Sequence, residues 1–410
     1  MNRKSTLQFP SFRQIAVLLF GLLFLTCLGV YLLGGPLEER LAVRKPLLIV
    51  ALSATGVLLV VGSLYSHLHH ARIQSYLCAV CMLMGIGFAY QFFFGEFSKF
   101  VSMVFLGTAA GLGGYFIYRR INILNDRLFW LCTLSILGLL ANNVLFGERI
   151  NGAKLWVKLG AFMFQPGELI KVLLILLGAS SFQNPRRSAV YCLVSLLSCG
   201  VLLLLRDLGG VVVIFALFML MVYLLFDNRL LSIAIIAAAV VALVVALGRM
   251  PYAAARFENW GHAMENPDSY QQRQFITAIL MGGFKGLGVA DNSLFTRIYA
   301  AANDGALVGV MAVLGIPMIL ITLGAYALLA SQAALNHSVY TSNFLIHAQM
   351  GFYIVVHVLL NFAGAADVLP FTGVVSPLIS SGGSATLCFG LLLGLGAAAL
   401  NPHLEYYTEE

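Results

Sequence analysis

The chain has 410 residues, of which 60% are hydrophobic and 10% charged. A soluble domain carries about a quarter charged residues, and the mean hydropathy here is +0.92, which excludes a water-soluble globular protein. The net charge of +7 comes from basic residues scattered over short loops, which suits contact with anionic membrane lipids and gives no continuous face for nucleic acid.

A helix needs about 20 apolar residues to span the hydrocarbon core. About twelve runs reach or approach that length, at 13–34, 46–66, 74–94, 98–118, 128–146, 168–182, 188–205, 208–226, 230–248, 305–330, 343–363 and 378–400. The expected fold is therefore an all-α, polytopic integral membrane protein, a helical bundle forming one transmembrane domain over 1–410. Its N-terminal spans fall in 1–147, its core in 148–410, and a large extracytoplasmic loop in 249–304. The run at 168–182 is short and spans only if its helix starts near Pro166, or if the bilayer thins there. Arg3, Lys4 and Arg13 precede a first run too long for a signal-peptide h-region, so that run is expected to stay as an anchor. With the N-terminus inside, Arg72, Arg119, Arg120, Arg127, Arg186, Arg187 and Arg229 fall on inner connections, as the positive-inside rule favours, although Lys154 and Lys158 fall outside. The seven cysteines all lie in apolar runs. Cys78 and Cys81 read as packing residues rather than a redox or metal motif, and His67, His69 and His70 as a helix end.

Four polar elements break this pattern, and the topology puts all of them on the outer face. The first is Asn151 to Lys171, which carries Lys154, Trp156, Gln165, Pro166, Glu168 and Lys171 into an apolar run. A carboxylate and an ammonium are costly at such a depth and mark a functional site or a paired anchor. Glu168 and Lys171 share a helix face at i and i+3 and can pair with each other. The second is Arg206-Asp207, which reads as an ion pair at the outer end of a span. The third is the long loop, in which Phe275 to Phe284 reads as a short helix broken at Gly282-Gly283 and folded back over the membrane mouth. The fourth is Asn361 to Ser384, where Asp367, Pro370, Gly373, Pro377 and the run Ser380-Ser381-Gly382-Gly383-Ser384 interrupt apolar sequence. Irregular backbone at membrane depth is tolerated where it lines a wet cavity.

Together these elements resemble the SEDS family of shape, elongation, division and sporulation proteins, whose branches are RodA, FtsW and SpoVE. The stretch GAKLWVKLGAFMFQPGELIK is similar to the family's G-A-K-R-W…F-Q-P-S-E…K signature. Leu205 to Gly209 stands at its Q-P-D-L-G, Tyr270 to Gly288 at its Gln-bearing Gly-Gly segment, and Asn361 to Ala385 at its L-P…P-L-I-S-Y-G-G-S. Members usually have ten spans, with three before the first motif where this chain has five. Asp304 stands at the carboxylate of the family's T-D-F-I-F motif. Asn303 and Gly305 replace its neighbours, Ala312-Val313 replace two glutamates, Arg206 replaces a proline, and Ser381 replaces a tyrosine. These departures fall on the presumed active region.

The resemblance implies a glycosyltransferase of the bacterial cytoplasmic membrane. Such an enzyme polymerises lipid II, an undecaprenyl-pyrophosphate-linked disaccharide-peptide, with a class B penicillin-binding protein as partner. A non-catalytic scaffold of a cell-wall complex and a lipid-linked precursor flippase are the other readings. The chemistry asks for a base at the membrane mouth, for which Asp304 is the candidate, although an Asp before a long apolar helix also suits an N-cap. It asks for cations to stabilise the departing pyrophosphate. Lys154, Lys171, Arg206 and Lys285 are candidates, and Asp207 stands at a family motif position. Ser380, Ser381, Gly382, Gly383 and Ser384 offer hydroxyls and backbone N–H groups at a helix start, which favours anions. Trp156 reads as an interfacial anchor or a sugar platform. Gln274 can hydrogen-bond sugar or peptide, and Gln165 lies at the entrance. A divalent cation, Mg or Mn, bridging pyrophosphate and carboxylate is chemically sensible, though no ligand spacing specifies one.

Overall fold

The structure is a computed structural model describing residues 71–400, apart from 95–96, 151, 161, 288–297, 299–300 and 333–340. The runs expected at 13–34 and 46–66, and His67, His69 and His70, lie outside the described residues. The helices are α1 Ala71–Phe94, α2 Phe97–Tyr118, α3 Asp126–Phe146, α4 Pro166–Ser180, α5 Pro185–Leu204, α6 Leu208–Leu225, α7 Arg229–Gly248, α8 Pro251–Glu258, α9 Tyr270–Gly282, α10 Ala306–Ala330, α11 Ser342–Ala365 and α12 Gly383–Ala399. Seven described helices are long and apolar enough to cross a membrane: α2, α3, α5, α6, α7, α10 and α11.

α4 starts at Pro166, with proline in its first turn, where the missing N–H costs nothing. α12 starts at Gly383 rather than 378, because Leu378 adopts a positive φ of 64° and the two serines that follow turn inward. α2 and α12 pack backbone against backbone. A Cβ on Gly394 would lie 1.8 Å from the Gly111 carbonyl oxygen, so no side chain fits at that crossing. α10 breaks at Gly315, whose φ is 83°. The chain after α9 docks on this break: the Leu287 amide donates to the Ala312 carbonyl at 2.9 Å, and the Ile316 amide to the Phe284 carbonyl at 3.1 Å. Gly282 and Gly286 serve this backbone approach, since a Cβ on either would lie 2.3 Å from the Ala312 or Val313 carbonyl oxygen respectively.

One element departs from an all-helical reading. β1 Glu148–Ile150, β2 Ala153–Leu159 and β3 Phe162–Phe164 form a three-stranded antiparallel sheet in the order β1-β2-β3. Ile150 pairs with Ala153 across Asn151-Gly152, and Gly152 has φ 81°. Asn-Gly between alternating residues is a strong hairpin signal, and the segment reads as a plain loop only if that signal is passed over. The Lys154 amide donates to the Leu205 carbonyl at 3.0 Å, fastening the sheet to the α5–α6 junction.

Candidate active site

A cavity of about 1180 Å³ opens beside the sheet. Its walls come from the sheet, the N-terminal ends of α4, α6 and α12, α8, and the segments 301–304 and 372–375. All four polar elements therefore contribute to one site. Trp156, Gln165, Glu168, Lys171, Arg206, Asp207, Asp304, Gly382, Gly383 and Ser384 line it, together with Lys99, Arg256 and Gly373, which the sequence reading did not select.

Lys171 and Glu168 are buried and paired, Nζ to Oε1 at 2.7 Å. The ammonium also lies 5.7 Å from the centroid of the Tyr353 ring on α11, a cation–π distance. Its charge is largely matched by the carboxylate.

Arg206 and Asp207 do not form the expected ion pair. Arg206 has φ 68°, which swings its guanidinium away, 5.5 Å over the Tyr252 ring. Asp207 instead caps α6, accepting from the Gly210 amide at 2.8 Å, and burial pushes its carboxyl above the ordinary range.

Asp304 is not the cap of α10. The cap position is Gly305, and the first-turn amide of Leu307 donates to Asn361 Oδ1 at 3.2 Å. With that donor taken, no described hydrogen bond ends on the Asp304 carboxylate. The group is half-buried in the cavity wall, and a Cβ on Gly373 would lie 3.3 Å from its Oδ2. Burial pushes the carboxyl up to about 7, against the opposing pull of Arg256. Arg256 is held by its own donation to the Phe371 carbonyl at 2.9 Å.

Five other expected site residues lie off the cavity. Lys154 donates its ammonium to the Val144 carbonyl in the last turn of α3, a C-terminal contact favoured by the helix dipole. Lys285 is exposed on the turn after α9 and Gln274 is half-buried on α9; neither lines the cavity. Ser380 and Ser381 are buried and donate to Asn303, to its carbonyl and its Oδ1 respectively, each at 2.6 Å. Ser384 accepts from the Gln165 amide at 3.0 Å, joining the starts of α4 and α12. In the described part of the long loop, the segment between α8 and α9 is fastened by Asp367. That carboxylate accepts from the Gly261 amide at 3.1 Å, the Ala263 amide at 3.0 Å and Gln272 at 3.2 Å.

Among the described residues no three carboxylate, imidazole or thiol side chains converge as metal ligands. Glu168 Oε1 is taken by Lys171 and Asp207 Oδ1 by the Gly210 amide, while Asp304 lines the same cavity.

An apolar helical bundle with a charged cavity at one end defines a multi-pass membrane protein whose site lies at the bilayer surface. The cell cycle protein family FtsW/RodA/SpoVE matches residues 72–401. The chain belongs to that family and is a multi-pass protein of the bacterial cytoplasmic membrane. It is 28% identical over 358 residues to the probable peptidoglycan glycosyltransferase FtsW of Pseudoalteromonas translucida, covering 78% of this chain and 87% of that protein. It is 25% identical over 301 residues to the peptidoglycan glycosyltransferase RodA of Mycobacterium tuberculosis, covering 65% and 62%. Among solved structures, a chain of a peptidoglycan synthase complex that coordinates polymerization and crosslinking aligns with a TM-score of 0.63 at 25% identity, over 78% of this chain and 95% of that one. The rod shape determining protein RodA of Thermus thermophilus shares the fold, with a TM-score of 0.53 at 23% identity, covering 78% and 94%.

Proposed function

We propose that the chain is a peptidoglycan glycosyltransferase that polymerises lipid II at the membrane surface, with Asp304 as its base. The observation that carries this reading is an Asp304 carboxylate on which, among the described residues, no hydrogen bond ends, in a cavity also lined by Lys171, Arg206 and Arg256, with its backbone held on several sides. The acceptor sugar's hydroxyl oxygen attacks the anomeric carbon of the donor. The bond from that carbon to the pyrophosphate oxygen breaks, and its electron pair leaves with the pyrophosphate. The hydroxyl proton passes to Asp304. A one-step displacement inverts the anomeric centre.

A base works best with a pKa near the working pH, and burial brings Asp304 there. Arg206 and Arg256, with Lys99 also on the cavity wall, are cavity cations placed to meet charge growing on the pyrophosphate, and the charge of Lys171 is matched by Glu168. Fixed cations in a site screened from water stabilise such charge without reorganising. The partner proposed is a class B penicillin-binding protein, a transpeptidase; the likeness to a peptidoglycan synthase complex supports it.

The test is extension of labelled lipid II by the purified chain, alone and with a co-expressed class B partner, for wild type and Asp304→Ala. Polymer from wild type and none from the variant is expected. Polymer from Asp304→Ala at the wild-type rate would remove Asp304 from the chemistry. Full cellular complementation by that variant would make the chain a scaffold.

A further inference from the structure

The carboxylate of Asp304 is placed from behind by a side chain that never reaches the cavity. Asn361, on α11, is 1% exposed. Its Nδ2 donates to the Asp304 carbonyl at 2.9 Å and to the Val374 carbonyl at 2.8 Å, with the Asn303 carbonyl at 3.4 Å as a weaker third acceptor. Its Oδ1 accepts from the Leu307 amide at 3.2 Å. One amide group therefore joins the segment carrying Asp304, the first turn of α10, and the irregular strip whose Gly373 lies beneath the carboxylate.

Asn is suited to this position because it offers two donors and an acceptor in one plane. An aspartate would keep the acceptor for Leu307 but lose both donors. A leucine would leave three backbone groups unsatisfied in a buried setting, each a costly loss. The cap supplied by Asn361 also removes the competing use of Asp304: a carboxylate satisfying the α10 amides would turn toward the helix and away from the cavity.

Accepting Asp304 as the base, as proposed above, we propose that Asn361 is its positioning residue: it caps α10 in place of Asp304 and fixes the carboxylate over Gly373. Three further groups brace the same segment. Gln91 on α1 donates to the Ala302 carbonyl at 2.7 Å, Tyr90 donates to the Ala301 carbonyl at 2.8 Å, and Ser380 donates to the Asn303 carbonyl. They hold the segment leading into Asp304, whereas the Asn361 side chain hydrogen-bonds on both sides of it.

The test compares Asn361→Ala and Asn361→Asp with Ser232→Ala, which removes a buried hydroxyl tied to the Val222 carbonyl at 3.3 Å far from the cavity. Displacing a reacting group by about 1 Å costs about 10²-fold in rate. Both Asn361 variants should lose about that factor in kcat for lipid II polymerisation, with KM for the donor unchanged, while Ser232→Ala keeps the wild-type kcat. A second readout needs no turnover. In an Asp304→Cys background, the rate at which a soluble maleimide labels the introduced thiol, followed by mass spectrometry, should rise several-fold with Asn361→Asp and not with Ser232→Ala. If Asn361→Ala does not accumulate in membranes, Asn361→Asp carries both readouts. Unchanged kcat, a loss confined to KM, or equal labelling in the Asn361 and Ser232 backgrounds would overturn the proposal. Absence of polymer from wild type would end the reading of Asp304 as a base, while the labelling comparison would still decide whether Asn361 holds the segment.

Discussion

The ammonium of Lys171 lies 2.7 Å from Glu168 Oε1, and the two side chains are only 4% and 7% exposed. Neither charge has solvent to compensate for loss of its partner. The pair is expected to act as a unit at the start of α4, and its members to be individually indispensable. Removing one partner of a buried pair costs about 3–5 kcal/mol, whereas replacing both with packed apolar groups is often neutral. Lys171→Met should therefore lower the thermal unfolding midpoint of the purified protein markedly, and Lys171→Met with Glu168→Leu should recover most of it. A double variant as unstable as the sum of its singles would refute the unit.

The pH dependence follows from Asp304. A base acts only when ionised, and burial has brought this carboxyl up to about 7. Polymerisation should therefore rise with pH on the acid side and level off above about 7. Arg256 favours the anion, so Arg256→Met should move the acid limb to higher pH. A limb that stays in place would separate Arg256 from the base.

The same shift has a stability consequence. A carboxyl raised on folding adds stability at low pH, and that contribution is lost as pH rises through the folded value. Asp304→Asn should therefore gain on wild type in unfolding midpoint as pH rises from about 4 to about 7 and hold level above that. Equal pH dependence of the two proteins would contradict a carboxyl raised by burial.

Ser381 and Asn303 form one contact, at 2.6 Å. A double-mutant cycle with Ser381→Ala and Asn303→Ala should give a coupling energy of about 0.5–3 kcal/mol, as contacting residues do. Additive losses would mean that the bond contributes nothing.

Seven of the expected spans were legible because apolar length is a one-dimensional signal, and the start of α4 could be placed from Pro166 alone. The convergence of the four polar elements was legible from their common face and from the resemblance. The side-chain assignments within them were not, because they depend on which way each group turns. Arg206 and Asp207 are adjacent in sequence, yet a positive φ at Arg206 separates them. Ser380 and Ser381 sit in a run that reads as an anion cradle, yet they face the backbone that carries Asp304. Asp304 reads as a cap until Asn361, distant in sequence, is found to supply it. Two departures from the resembled family become intelligible only in contact: Ser381 stands for a tyrosine and Asn303 for a threonine, and they bond to each other. A third is similar. A Cβ on Gly305 would lie 2.2 Å from the Phe275 ring, so an aromatic from α9 fills the space where the family carries one in the motif itself.

The most direct measurement is the initial rate of labelled lipid II polymerisation by the purified chain with its class B partner, comparing wild type with Asp304→Asn. Asparagine keeps the size and removes the base. The account predicts glycan polymer from wild type and a rate lower by about 10²–10⁴-fold in the variant, the range a general base contributes. Equal rates in the two proteins would contradict it.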